Sequence, residues 1–368
     1  MKSMKKENTL ILELCKFIDY DKAKLEDLMS QSIHWPYVLG QLLFHRMGGA
    51  AYYTIRGCGL LGKVNREFRN SVKMAYDSGK TKSESLKSSL TMFRDIIGSA
   101  DFPYALLKGA YLVSLYPTGL RTSNDLDVLI SQKDLSKMET SLKSAGFVQG
   151  NIRNFNFTPA SRTEILHSRM NRGETIPFVQ AIDLPDMEWL EIDINFSLDF
   201  KAKQENDTVD SLLCDVRPLI ETEKEPLLTL SPADFMIHLC CHLYKEATVY
   251  AWVEMERDLS IYKFADIYLL LSKWTETMFY SDLSARINEH VLNRECYYAL
   301  LRTKELFDIK NVELDKLLSD ICPENIDFLT EIIRPDKSIA YRYDEDFTDW
   351  LFMSGRKDYL HEIKDEQT

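Results

Sequence analysis

Apolar positions recur at helical spacing through the first quarter of the chain. Leu10, Leu12, Leu14, Phe17 and Ile18 are followed by Ala23, Leu25 and Leu28 within Asp21–Ser32. Val38, Leu39, Leu42, Leu43 and Phe44 then line one broad face of Tyr37–Met47. His34-Trp35-Pro36 separates these runs. Gly57, Gly59 and Gly62 follow no clear strand, so they read as an interhelical turn and not as a phosphate loop. Leu86, Leu90, Phe93, Ile96 and Ile97 predict an amphipathic helix over Ser83–Gly98, stopped by its glycine. Residues 8–98 are therefore expected to be helical.

The pattern then changes. An apolar approach from Tyr104 runs into Lys108-Gly109-Ala110, and Leu112, Val113 and Leu115 give a short helical run. A turn at Pro117–Gly119 follows, and Asp125-Leu-Asp127-Val-Leu-Ile130 reads as a strand. Ser131–Phe147 has a serine cap, inward Leu135, Met138 and Leu142, and Gly146 as a stop, so it reads as a helix. Alternation over Asn151–Thr158, Glu164–Met170, Ile176–Asp183 and Trp189–Leu198 predicts a β-rich stretch. From Leu227 the spacing is helical again, with Ser231 capping and Pro232 at the first helical position. Two or three more helices are expected over 281–334. Arg334-Pro335-Asp336 opens an acidic tail whose Trp350, Leu351 and Phe352 predict docking. The expected fold is α/β (α+β): a small mixed β-sheet core at 84–200, with an N-terminal helical region over 1–83 and a C-terminal one over 201–368.

Composition narrows the function classes. A net charge of −12 argues against general nucleic-acid binding, which draws its affinity from phosphate neutralisation by Lys and Arg. The excess of Lys and Arg between Lys63 and Arg94 runs the other way, either as a solvated helix face or as a surface that steers an anionic substrate. Seven cysteines without metal-type spacing predict reduced, mostly buried thiols and a cytoplasmic setting. The apolar run near the N-terminus is broken by Glu13 and Lys16, so neither a signal peptide nor a membrane span is expected.

Candidate chemistry centres on Asp125 and Asp127. Two residues apart on a strand, their carboxylates share a face, with Cα atoms roughly 7 Å apart. Such a pair repels unless a cation intervenes, and oxygen-only ligands favour a hard ion such as Mg²⁺ that borrows further ligands from phosphates. Gly109, at the start of a helix, lets backbone N–H groups approach phosphate oxygens. On the later strand, Glu191, Asp193 and Asn195 share the polar face opposite Ile192, Ile194 and Phe196. His238 and His242 stand at i and i+4, but no Glu lies between them as in HExxH and no third ligand is evident.

The stretch LLKGAYL…LYPTGLRTSNDLDVLI resembles a bacterial, uncharacterised nucleotidyltransferase family within the DNA polymerase β-like nucleotidyltransferase superfamily. The resemblance covers about 27 residues strongly, with Lys-Gly, Arg and Asp-x-Asp in order inside one helix, turn and strand. It implies metal-dependent transfer of a nucleoside monophosphate from an NTP to an acceptor hydroxyl, with loss of pyrophosphate. Asp125, Asp127 and a third carboxylate would be catalytic and hold two Mg²⁺ (or Mn²⁺) ions roughly 4 Å apart. Similar sequences read hEhHh where this chain has Ile192-Asp193-Ile194-Asn195-Phe196, which puts Asp193 in the Glu place and leaves Glu191 as the alternative. Lys108, Gly109, Arg121 and Ser123 would bind the nucleotide, with ATP the first expectation. Relatives carry Ser after the Gly, where this chain has Ala110.

Arg153, Arg162, Arg169 and Arg172 are further candidates for gripping a triphosphate, and Asp266 for supporting the site from behind. The acceptor stays open among a small alcohol or aminoglycoside-like molecule, an RNA end and a protein side chain. No membrane partner is expected, and the oligomeric state is open. Two other classes fit the same residues: a non-catalytic relative that binds nucleotide or a partner protein, and a phosphotransferase.

Overall fold

The computed structural model describes residues 5–98, 100–198, 207–219, 226–334 and 339–363. The chain divides into two compact units, Asp77–His238 and the combination of Met1–Tyr76 with Leu239–Thr368. The first segment carries helices α1 (Lys6–Leu14), α2 (Lys22–Ser30), α3 (Trp35–Phe44), α4 (Gly48–Gly57) and the start of α5 (Arg66–Ile97). The amphipathic run at Ser83–Gly98 is thus the C-terminal half of one long helix. Gly59, at φ +74°, turns the chain after α4 as the glycine spacing predicts.

The unit Asp77–His238 holds β1 (Tyr104–Leu106), α6 (Lys108–Leu115), β2 (Asp125–Ile130), α7 (Leu135–Ser144), β3 (Val148–Arg153) and β4 (Asn156–Pro159). It continues with α8 (Arg162–Asn171), β5 (Phe178–Leu184), β6 (Met187–Asn195), α9 (Asp207–Leu213), β7 (Val216–Pro218), β8 (Leu228–Leu230) and the start of α10 (Pro232–Thr248). One mixed sheet runs β4-β3-β5-β6-β2-β1-β8-β7. β2 and β6 pair parallel, β1 runs antiparallel to β2, and β5 antiparallel to β6. Beyond Asp125 every residue of β2 is buried, as befits a central strand covered on both faces. Leu86, Leu90 and Phe93 of α5 join Leu126, Val128, Ile130, Ile192 and Ile194 in one core. The α/β class with a mixed sheet and flanking helices therefore holds.

Three local readings change. Glu164–Met170 is not a strand but most of α8. Ser161 accepts from the Glu164 backbone N–H at 3.3 Å while the Glu164 carboxylate accepts from Ser161 N–H at 2.8 Å. That capping box starts a helix and outweighs the short apolar alternation. Asn151–Thr158 is a hairpin and not a single strand, turning at Asn154 and Phe155, both at positive φ. Short strands β7 and β8 extend the sheet in a region expected to be helical.

In the other unit, α10 is followed by α11 (Tyr250–Glu254), α12 (Ile261–Lys273), α13 (Thr277–His290), α14 (Asn293–Phe307) and α15 (Val312–Asp320). A three-stranded sheet of β9 (Glu331–Ile333), β10 (Ile339–Arg342) and β11 (His361–Glu362), with α16 (Phe347–Phe352), closes the chain. The tail docks as expected: Trp350 is buried and stacks on Tyr343 with ring centroids 4.2 Å apart. Arg356 and Asp258, both buried, form a bidentate ion pair. Pro335 and Asp336 lie outside the described residues. Five of the seven cysteines, Cys15, Cys58, Cys240, Cys241 and Cys296, are buried and none is in a disulfide. Among the described residues no helix is long and apolar enough to cross a membrane.

Candidate active site

The register between β2 and β6 builds the site. Asp125 stands opposite Glu191, and Asp127 opposite Asp193, so all four carboxylates share one face of the sheet. Asp127 is buried; Asp125, Glu191 and Asp193 are half-buried. Packing acids this way costs electrostatic free energy, and the cost shows at Asp193 and Glu191. Burial first, then the charges of Asp127, Asp125 and Glu174, push the Asp193 carboxyl well above the usual range, against the opposing pull of Lys108. Glu191 is also raised, by burial and by Asp125. Asp193 thus lies in the field of both β2 carboxylates, whereas Glu191 feels one of them.

Lys108 supplies the positive charge. Its Nζ lies 2.8 Å from Asp127 Oδ1, and both side chains are largely shielded from water. The backbone at Lys108 has φ +42°, left-handed for a residue with a Cβ and costing of order 1 kcal/mol or more. Lys108 opens α6 directly after β1, and Leu107 N–H donates to Asp127 O at 2.9 Å. Helix start and acidic strand are therefore fixed to one another through the backbone.

The loop between α6 and β2 is equally constrained. Ser123 Oγ donates to Asp125 Oδ1 in a short hydrogen bond. A Cβ on Gly109 would come within 2.7 Å of Ser123 Cβ and 3.0 Å of its Oγ, so glycine is needed here to let the Ser123 loop approach. Arg121 is buried and its Nη1 donates to Thr122 O at 2.6 Å. It braces the loop from within and is not presented at the surface. Behind it, the Ser83 hydroxyl lies 3.0 Å from Arg121 O, and a Cβ on Gly79 would come within 2.3 Å of Gly119 O. Helix α5 thus seats the turn that delivers Asp125.

The structure adds Glu174, which sequence patterns did not single out. Gly173, at φ +65°, reverses the chain after α8, and Glu174 bridges to Asn195 at the end of β6. Arg172 pairs with Glu174 at 3.0 Å. Two more of the candidate arginines face acids of their own: Arg169 bonds Glu139, and Arg153 lies 3.9 Å from Glu164. In the other unit His242 lies 3.1 Å from Glu246, which also takes Lys263. Burial would raise the Glu246 carboxyl, but His242 and Lys263 hold it well below the usual range.

Oxygen-only donors on one face, with a cation already on Asp127 Oδ1, suit a hard divalent ion. Among the described residues no three His, Cys, Asp or Glu side chains converge into a closed ligand group as they stand. The donor chemistry of the face fits such an ion.

No curated protein matches the chain. Among solved structures, an antigenic nucleotidyltransferase-like protein from Paracoccidioides brasiliensis is similar at 12% identity and a TM-score of 0.34, over 62% of this chain and 95% of that one. The model of a family described as "Uncharacterised nucleotidyltransferase" matches residues 31–308, and so takes in the sheet, the acidic strands and the helices on either side. The chain belongs to that uncharacterised nucleotidyltransferase family.

Proposed function

We propose that this chain transfers a nucleoside monophosphate from an NTP to an acceptor hydroxyl in a divalent-metal-dependent reaction. The observation that carries the reading is the pairing of Asp127 with Asp193 across β2 and β6, with Asp125 on the same face and the strained Lys108 at its edge. Asp125, Asp127 and Asp193 would hold the metal. Bound there, Mg²⁺ would supply neutralisation of the phosphate charge and acidification of the acceptor hydroxyl. The acceptor oxygen bonds to the α-phosphorus, the bond to the bridging oxygen breaks, and pyrophosphate leaves while the hydroxyl proton passes to the carboxylate face.

The residues around the acids divide the remaining work. Ser123 fixes the Asp125 carboxylate through its hydroxyl, and Gly109 leaves room for it. Gly109 lies in the first turn of α6, where a backbone N–H suits a phosphate oxygen. Arg121 keeps the loop in place from its buried position. Lys108 is the cation available to the triphosphate once Asp127 is otherwise engaged. ATP is the first nucleotide to test, in keeping with a cytoplasmic reaction.

The acceptor is an alcohol-bearing small molecule, an RNA end or a protein side chain. The test is incubation with each NTP and Mg²⁺ against a cell extract, reading products by mass. A product heavier by a nucleotidyl group supports the proposal. A product heavier by a phosphoryl group makes the chain a phosphotransferase, and nucleotide binding with no product makes it a binding relative.

A further inference from the structure

Lys108 and Asp127 form an ion pair at 2.8 Å, with side-chain exposures of 18% and 6%. A pair so shielded is screened far less than a surface salt bridge. It satisfies the one buried member of a four-carboxylate face, and it does so from a lysine held at φ +42° at the first position of α6. A glycine would take that backbone without strain. The strain is offset at this position by the ion pair that the ammonium makes with Asp127. Lys108 also counters the charge of Asp193, the residue opposite Asp127.

We infer that Lys108 is an exchangeable internal counter-ion: it occupies Asp127 in the metal-free protein, is displaced from it by the divalent ion, and is thereby released to the phosphates of the incoming nucleotide. The inference rests on the metal-dependent reading above and deepens it. An ammonium at hydrogen-bond distance from Asp127 opposes a dication on the same carboxylate, because the two cations repel each other at that range and divide one negative charge between them. Metal and nucleotide binding are then coupled through one side chain. Metal binding without nucleotide is weakened by the resident ammonium, and nucleotide binding without metal is weakened because the ammonium is already engaged. By linkage, each ligand raises the affinity for the other by the same factor.

The test uses the full chain and Mn²⁺ as the probe ion, with no turnover required. Acetic anhydride labelling of the wild-type protein, read by peptide mass, is expected to show Lys108 becoming several-fold more reactive when Mn²⁺ is added. Unchanged or reduced labelling with Mn²⁺ demonstrably bound overturns the inference and leaves the metal reading standing. Mn²⁺ titration followed by electron paramagnetic resonance is expected to show Lys108→Met binding the ion about ten- to a hundredfold more tightly than wild type. Lys108→Arg, which keeps the charge, should stay close to wild type. Equal or weaker binding by Lys108→Met contradicts the inference. Failure of wild type and Lys108→Met alike to bind Mn²⁺ overturns it together with the metal reading.

Discussion

Asp127 and Asp193 are cross-strand partners on parallel β2 and β6, and the ammonium of Lys108 sits on the first of them. The two acids are far apart in sequence and meet through the pairing of strands, as the resemblance implies, whereas the Lys108 contact is not visible along the chain. Everything claimed for the site depends on that pairing.

Asp193→Asn is expected to depress the transfer rate strongly, with nucleotide binding changing less, because its contribution falls on the reacting centre. Glu191→Gln should be the milder change, since Glu191 stands opposite Asp125 and feels that one charge. Steady-state kinetics on the two variants checks this. A large loss at Glu191 with a normal rate at Asp193 would reverse the assignment.

Gly109→Ala should destabilise the protein by about 1–3 kcal/mol, as overpacking does, because the new methyl meets Ser123 at 2.7 Å. It should also lower the rate by moving the serine that holds Asp125. Ser123→Gly removes the obstructing atoms, so the double variant should recover part of the stability lost in Gly109→Ala. Denaturant unfolding of the four proteins measures the coupling; strict additivity would mean that the two residues do not press on each other.

Much of this was legible in the sequence. Asp125 and Asp127 at the head of an apolar run gave the strand and its acidic face, and Lys108-Gly109 gave the helix start. The site also contains parts that local patterns do not encode. The resemblance puts Arg121 at the nucleotide, but no local pattern shows that its side chain is buried and donates to Thr122 O. Glu174 comes to the site through a glycine turn and a single bridge to Asn195. The segment Glu164–Met170 alternates like a strand, yet the reciprocal Ser161 and Glu164 cap decides for helix. Strands β9 to β11 are two to four residues long, too short for any periodicity to show.

The raised carboxyls set a pH dependence for the metal-free protein. In the unfolded chain Asp and Glu titrate near about 4, whereas folding raises Asp193 well above that and Glu191 above it. A carboxyl raised by folding contributes stability in full below its unfolded value and loses it as pH rises through the folded value. Asp193→Asn removes the ionisation, so its melting temperature relative to wild type should climb from about pH 4 towards neutrality. A difference that stays constant across that window, measured by thermal melts in EDTA, would contradict the assigned electrostatics.

Asp258→Asn tests the unit made of Met1–Tyr76 and Leu239–Thr368. Removing the charge leaves the buried Arg356 guanidinium without its bidentate partner, a change that costs about 3–5 kcal/mol in such pairs. Denaturant unfolding should show that loss. A change under about 1 kcal/mol would mean that solvent reaches the pair.

The most direct measurement of the central claim is transfer itself. Wild type, Asp125→Asn and Asp127→Asn are incubated with α-labelled ATP and then the other NTPs, in a cell extract with Mg²⁺ or with EDTA. Label incorporation, product mass and pyrophosphate release are read together. The expected result is a nucleotidyl-bearing product and stoichiometric pyrophosphate from wild type with Mg²⁺ alone, and neither from the variants or in EDTA. Transfer that persists in EDTA or in both variants would contradict a carboxylate-held metal as the basis of the reaction.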